Sequence, residues 1–275
     1  MGMDIKVVAW NVAQNAKALS ITAAVRGADI YLLNEAPPGL ELGDLIMKAD
    51  DRTIALDCPH EEGLCTCNRK WSAAVAVPPP HSAERIKDAR RSDSGRVLRF
   101  EPSRRGSWVA ARVSLETGEQ VTAISLYGLR GGERSDESVH RSLSELSPVF
   151  DHERYGRLLV LGGDLNTLAR AEIGSRTLAR DQSVLDRITK GFDLRDLLAQ
   201  DIRKQGRGPL EECGCGYGPD CEHIWTFRHK DSPTTKYQDD YLFASSELAE
   251  RLDRCEALPF TGASDHAPIV ATFVT

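Results

Sequence analysis

Asp164 and Asn166 are a carboxylate and a carboxamide two residues apart, placed at the end of Leu158-Leu-Val-Leu-Gly-Gly-Asp-Leu-Asn166. Leu158 to Leu161 is a short apolar run closed by Gly162 and Gly163, which predicts a buried strand ending in a tight turn. Side chains two apart on an extended segment point the same way, so both groups can face one spot beyond the strand end. A carboxylate there can take a proton from water, and an amide can hold a neighbouring oxygen. The same residue types also suit a plain Asx turn. Other polar residues recur at the ends of apolar runs: Asn11, Glu35, Tyr127, Asp240, Asp265 and His266. Each alone has an ordinary structural explanation, such as a turn acid or a buried, satisfied histidine.

The elements that would position them read as follows. Ile5 to Val12 is a strand, Ala16 to Arg26 a helix closed by Gly27, and Asp29 to Glu35 a second strand stopped by Pro37-Pro38. Short strands are predicted at Thr53–Asp57 and Trp71–Val77, with a loop over 58–70 between them. Residues 81–106 are polar and Arg-rich and read as a loop. Ser107–Leu115 and Gln120–Tyr127 form a hairpin around Glu116-Thr-Gly-Glu119. Ser135 caps a helix that Pro148 kinks or ends. Ser183–Phe192 is helical, and 203–223 is a Gly/Cys-rich loop. Strands follow at Trp225–Phe227, Tyr241–Phe243, Cys255–Phe260 and Ile269–Val274, with a short helix at Glu247–Leu252. Many strands and fewer helices predict sheets packed face to face and flanked by helices.

At 41% hydrophobic and 28% charged, the 275 residues can build one sizeable core. Neither a long linker nor an internal repeat divides them, which predicts a single domain over 1–275. No apolar run has the length of a membrane span, and the N-terminus lacks a signal-peptide pattern, so the expected location is cytoplasmic. A net charge of −6 argues against a broadly basic nucleic-acid surface. It fits a carboxylate-rich site for a cation.

The order of the local words is more specific than any residue alone: Trp10-Asn11, Leu33-Asn34-Glu35, Ser125-Leu126-Tyr127, Gly162-Gly163-Asp164-Leu165-Asn166, Trp225-Thr226-Phe227, Asp239-Asp240-Tyr241-Leu242-Phe243 and Ser264-Asp265-His266-Ala267-Pro268. This series resembles the endonuclease/exonuclease/phosphatase superfamily. That superfamily includes exonuclease III, AP endonucleases, pancreatic deoxyribonuclease, inositol polyphosphate 5-phosphatases and neutral sphingomyelinases. The resemblance implies an α/β (α+β) four-layered sandwich, two mixed β-sheets face to face with helices outside, and an active site at one rim. It implies a Mg²⁺- or Mn²⁺-dependent phosphoesterase whose partner is nucleic acid, or in other branches a small phosphate ester or phospholipid. A non-catalytic binding module that keeps the fold is the third reading, and the intact set of Asp164, Asn166, Asp265 and His266 counts against it. Carried over, Glu35 and Asp265 would hold the metal with Asn11 beside it. Asp164 would orient or deprotonate the attacking water, and Asn166 and Tyr127 would contact the phosphate. Asp240 would hold His266, which would serve the phosphate oxygens. Three positions depart from the pattern. Ala13 stands where many nucleases have an acid, Gly128-Leu129-Arg130 follows the tyrosine, and Gln238 replaces a common arginine. Arg130 is a candidate phosphate clamp.

Seven cysteines without an export signal argue against a disulfide framework. Cys58, Cys65 and Cys67 cluster in one loop, and Cys213, Cys215, Cys221 and His223 in another, a composition that suits structural Zn²⁺ or plain free thiols. Residues 85–105 carry Arg85, Lys87, Arg90, Arg91, Arg96, Arg99, Arg104 and Arg105 among acids, which suits either a solvated loop or a phosphate-backbone arm.

Overall fold

The computed structural model describes residues 4–37, 40–42, 45–46, 53–54, 71–90, 96–104, 106–129, 134–167, 176–207, 221–231 and 236–274. In chain order the strands are β1 (Ile5–Asn11), β2 (Ile30–Ala36), β3 (Glu41–Leu42), β4 (Leu45–Ile46), β5 (Thr53–Ile54) and β6 (Ser72–Ala76). Next come β7 (Ser82–Arg85), β8 (Asp88–Arg90), β9 (Val97–Arg99), β10 (Trp108–Ser114), β11 (Gln120–Leu126) and β12 (Leu159–Asp164). The last six are β13 (Leu194–Asp196), β14 (Phe227–Arg228), β15 (Lys236–Tyr237), β16 (Asp240–Ser245), β17 (Leu252–Ala257) and β18 (Ile269–Phe273). Helices are α1 (Ala18–Ile21), α2 (Ser135–Phe150), α3 (Glu153–Gly156), α4 (Arg176–Asp186), α5 (Leu197–Gln205) and α6 (Ser246–Ala249).

Two six-stranded sheets carry the fold, in the orders β17-β18-β1-β2-β6-β5 and β13-β16-β12-β11-β10-β7. Both are mixed: β1 and β2 are parallel, as are β11 and β12, while their other neighbours are antiparallel. The alternation of strand side chains makes the layers. Val7, Ala9, Ile30 and Leu32 face inward and pack with Val109, Ala111, Val160 and Leu242 of the other sheet. Val8, Trp10 and Leu33 face outward, against Leu19 and Val25. On the far side, Ile124, Leu161 and Phe243 pack under Val139, Leu143 and Leu146 of α2 and Val184 of α4. The order helix, sheet, sheet, helix is the four-layered sandwich. Because both faces of each sheet are covered, the central strands read as near-continuous apolar runs.

Several local expectations are corrected. The central strand does not stop before the glycines: β12 runs through both and ends at Asp164. A Cβ on Gly162 would lie 2.7 Å from Leu242 Cδ1 and 2.9 Å from the Ala9 Cβ, so glycine here permits close approach of the sheets. Of the two alternatives for Pro148, an end to the helix is the one excluded, because α2 continues to Phe150. The carbonyl of Ser144, deprived of its usual partner by the proline, accepts a hydrogen bond from Ser147 Oγ at 2.9 Å. The cap of α2 is Arg134, one residue earlier than expected. The helix expected at 16–26 is only α1 and one 3₁₀ turn, Ala23–Val25. Helix α5 stands where none was expected, capped by Asp196 and closed by Gly206 at φ 61°.

The Arg-rich 81–106 segment is not simply a loop. Strand β7 extends the second sheet along β10, and β8 and β9 pair as a ribbon. Its polarity follows from its place at an edge: Ser82 and Glu84 are exposed while Ala83 and Arg85 are half-buried, and charged residues on an edge strand discourage further pairing.

Candidate active site

Strand direction and register bring the sequence-expected residues to one rim. Asn11, Glu35 and Asp164 lie at the C-terminal ends of β1, β2 and β12, and Tyr127 directly follows β11. Asp240 opens β16 and sits opposite Asp164 in the antiparallel ladder. Asp265 and His266 precede β18, whose Ile269 pairs with Ala9. Trp10 Nε1 donates to the His266 carbonyl at 2.9 Å, and Ser264 Oγ donates to the Asn11 carbonyl at 2.7 Å, fixing this segment against β1.

Asn11 links the two carboxylates: its Nδ2 donates to Asp164 Oδ2 at 2.8 Å and lies 3.5 Å from Glu35 Oε1. Its own Oδ1 is held by the Ala13 amide at 2.9 Å. Tyr127 OH donates to Glu35 Oε1 at 2.9 Å. Glu35 reaches this position through a register shift in the β2–β6 ladder and a left-handed φ of 48°. Such a backbone in a non-glycine residue costs of order 1–3 kcal/mol and persists only where the surroundings hold it.

His266 Nδ1 contacts Asp240 Oδ2 at 2.8 Å, and its Nε2 lies 3.8 Å from Asp164 Oδ2. Asp164, Asp240 and His266 are all buried, and their ligand atoms lie within 4.8 Å of one another. Asn166, at φ 50°, donates from its backbone to Asp164 Oδ1 at 2.8 Å. Its Nδ2 donates to the Gly128 carbonyl at 2.9 Å and lies 3.2 Å from Asp164 Oδ2.

Burial, reinforced by the charge of Asp240, pushes the Asp164 carboxyl up to about 7, although His266 and the Asn11 amide pull the other way. A carboxylate tuned near neutrality suits exchange of a proton with water. For His266, burial lowers the pKa, but the carboxylates of Asp240 and Asp164 outweigh it, and the net shift is upward. The imidazole is therefore held as a cation. Burial and the charges of Asp164 and Glu35 raise the Tyr127 phenol, so it remains a neutral hydrogen-bond donor.

Three residues not singled out in the sequence also shape the site. Gln14 Nε2 reaches Glu35 Oε2 at 3.3 Å. Thr226 Oγ1 accepts the backbone amides of Asp239 and Asp240 at 3.1 and 3.0 Å. The Phe227 ring lies 4.8 Å from the His266 ring, and the two residues form an isolated bridge. Each acts through a contact remote in sequence, so only the word Trp225-Thr226-Phe227 hinted at the last two. Arg130, Cys58, Cys65, Cys67, Cys213 and Cys215 lie outside the described residues. Cys221 and His223 are described, with Sγ and Nδ1 3.7 Å apart.

Two mixed sheets packed face to face with helices outside define a class of fold, and solved structures share that fold. The chain is similar to the AP endonuclease LMAP from Leishmania major at 16% identity and TM-score 0.65, covering 99% of this chain and 88% of that one. It is similar to the APE2 catalytic domain of Xenopus laevis at 16% identity and TM-score 0.64, covering 98% and 93%. An endonuclease/exonuclease/phosphatase from Beutenbergia cavernae matches at 20% identity and TM-score 0.51, covering 98% and 71%. No family model matches the sequence, and no curated protein matches it. The chain has the fold of the endonuclease/exonuclease/phosphatase superfamily. Among the described residues, no helix is long and apolar enough to cross a membrane.

Proposed function

We propose that this protein is a divalent-metal-dependent phosphodiester hydrolase, a nuclease that cleaves DNA or RNA by in-line attack of water. The observation that carries it is the buried Asp164, hydrogen-bonded by Asn11 and Asn166 and facing an imidazole that Asp240 holds. Asp164 is the group that orients and deprotonates the water. His266, kept cationic, stabilises the negative charge that grows on the phosphoryl oxygens. The neutral Tyr127 hydroxyl donates to Glu35 and meets the phosphate only by exchanging that bond. Asn166, whose Nδ2 already binds Gly128, holds the Asp164 loop and meets the phosphate only by exchanging that bond.

The donor set fits a hard cation. The carboxylates of Glu35, Asp164, Asp240 and Asp265 gather at this rim, and the buried Asp240 Oδ1 has no hydrogen-bond partner. Mg²⁺ and Mn²⁺ prefer oxygen ligands, so Glu35 and Asp265, with Asn11 beside them, are the residues that would hold either ion. When bound, the ion supplies neutralisation of charge on the phosphoryl oxygens. Nuclease chemistry is supported by the shared fold of the structure named an AP endonuclease. It is also supported by the ribbon of β8 and β9, which leaves the edge of the second sheet toward this rim with Lys87, Arg96 and Arg99 exposed. The test is a substrate panel of plasmid, single-stranded DNA, abasic duplex, RNA, inositol phosphates and sphingomyelin, each with Mg²⁺ and with chelator. Mg²⁺-dependent cleavage of a nucleic acid is expected. Hydrolysis of only a small phosphate or lipid would move the protein to the phosphatase branch.

Asp240 and His266 are expected to work as a unit. Asp240→Ala should lower turnover by about 10²-fold or more, with a smaller change in KM. Combined with His266→Ala, it should add little. Simple additivity in that cycle would mean that the pair does not act together.

Zinc is a separate expectation. Ligand atoms of one tetrahedral zinc bound by sulfur and nitrogen stand about 3.5 Å apart, close to the 3.7 Å between Cys221 Sγ and His223 Nδ1. Burial lowers the His223 pKa, which keeps the imidazole neutral and able to ligate. Metal analysis of protein purified without chelator should find about one zinc per chain. Zinc-free protein at that stage refutes it.

A further inference from the structure

Asn34, immediately before Glu35, is fully buried, and its side chain crosses from the first sheet to the second. Its Oδ1 accepts the Asp164 backbone N–H at 2.6 Å. Its Nδ2 donates to Ser125 Oγ at 3.1 Å and to the Leu126 carbonyl at 3.3 Å. Ser125 Oγ returns the link by donating to the Leu33 carbonyl at 2.8 Å. All the amide's polar atoms are therefore in use, in a buried layer where an unpaired polar group is costly.

The positions it touches matter. The parallel ladder between β11 and β12 ends with Ser125 opposite Gly162. Beyond that pair, the Leu126 carbonyl and the Asp164 N–H bind the Asn34 amide instead of a neighbouring strand. Leu126 precedes Tyr127, Asp164 is the proposed base, and Asn34 itself precedes Glu35. One carboxamide thus binds the backbone of Asp164 directly, binds Leu126 beside Tyr127, and belongs to the residue beside Glu35. Gly163 makes room for it: at φ 144°, a Cβ would lie 2.4 Å from Asn34 Oδ1 and 2.1 Å from the Leu126 carbonyl oxygen. The double glycine therefore serves two purposes, with Gly162 admitting the facing sheet and Gly163 admitting this amide.

We propose that Asn34 is a positioning residue that sets the placement of the Asp164 carboxylate, relative to Glu35 and Tyr127, from across the sheet interface. The catalytic part rests on the hydrolase reading above. Misplacement by about 1 Å can cost about 10²-fold in rate. Asn34→Ala should therefore lower kcat by about that factor and leave KM within about twofold. In an Asp164→Asn background, the same change should cost less than about twofold, because the group it positions is already disabled. A role in stability alone would give a lower Tm and the same factor in both backgrounds.

Ser125→Ala, which removes one link and keeps the amide, is the milder variant should Asn34→Ala not fold. It should lower kcat severalfold and show the same dependence on Asp164. Hydrogen exchange at the Asp164 amide gives a readout without catalysis: protection should fall in either variant relative to neighbouring β12 amides. Wild-type protein that hydrolyses nothing in the panel refutes the hydrolase reading, while exchange still reports the clamp. Unchanged kcat in a folded variant, equal losses in both backgrounds, or unchanged protection at Asp164 overturns the proposal.

Discussion

Replacing Glu35 by alanine is expected to reduce metal-dependent hydrolysis by roughly a thousandfold or more, the scale of several kcal/mol of transition-state stabilisation. The fold should survive. Glu35 is half-buried, its carboxylate receives the Tyr127 hydroxyl and the Gln14 amide, and no apolar packing is removed. The cost to stability is the buried Tyr127 hydroxyl left without its acceptor, about 1–3 kcal/mol at most. Activity should be measured across a Mg²⁺ series, with thermal unfolding on the same samples. Wild-type protein in excess chelator should reproduce the loss. Full turnover in the variant, or in chelator, would mean that a bound cation held by Glu35 is not part of the chemistry.

Asp164→Asn is expected to cost about 10²- to 10⁴-fold in turnover, the usual contribution of a positioned general base. The amide is nearly isosteric, so binding should be retained. Two of the carboxylate's present partners, Asn11 Nδ2 and the Asn166 backbone N–H, are donors, and the new NH₂ has to face one of them. Some local rearrangement follows, but a negative charge facing the phosphate is also removed.

The disabled variant can report the substrate class. In Ca²⁺, oligonucleotide affinity should fall steeply with salt, because several bound phosphates release counterions together. Changing Lys87, Arg96 and Arg99 to alanine should flatten that slope by about one for each phosphate no longer engaged. A shallow slope in the parent protein would mean that only one phosphate is engaged, as for a small ester. The net charge of −6 gives this test its force: attraction for a polyanion has to come from a local surface.

Much of the architecture was legible in the chain. Apolar runs closed by polar residues marked β1, β2, β11, β12 and β16, and their number pointed to packed sheets. The words around Asp164 and His266 marked residues that the structure brings together, because these residue types lie at strand ends and strand ends in such sheets share a rim. Local sequence misled where a remote partner decided the outcome. Ser82–Arg85 looks like loop until the free edge of β10 offers it a ladder. Pro148 looks like a terminus until Ser147 satisfies the carbonyl it orphans.

What only the tertiary structure decided is how the residues meet. Sequence could name Asp240 and His266, but their 2.8 Å contact depends on β16 running antiparallel to β12 and on β18 returning beside β1. The shifted pKa values of Asp164 and His266 arise from burial and mutual charge, neither of which exists in an extended chain. Asn34 shows the limit most clearly. A single buried asparagine before a glutamate carries no periodic or spacing signal. Its meaning lies in three hydrogen bonds to residues about 90 to 130 positions away, and these form only when two sheets close on one another.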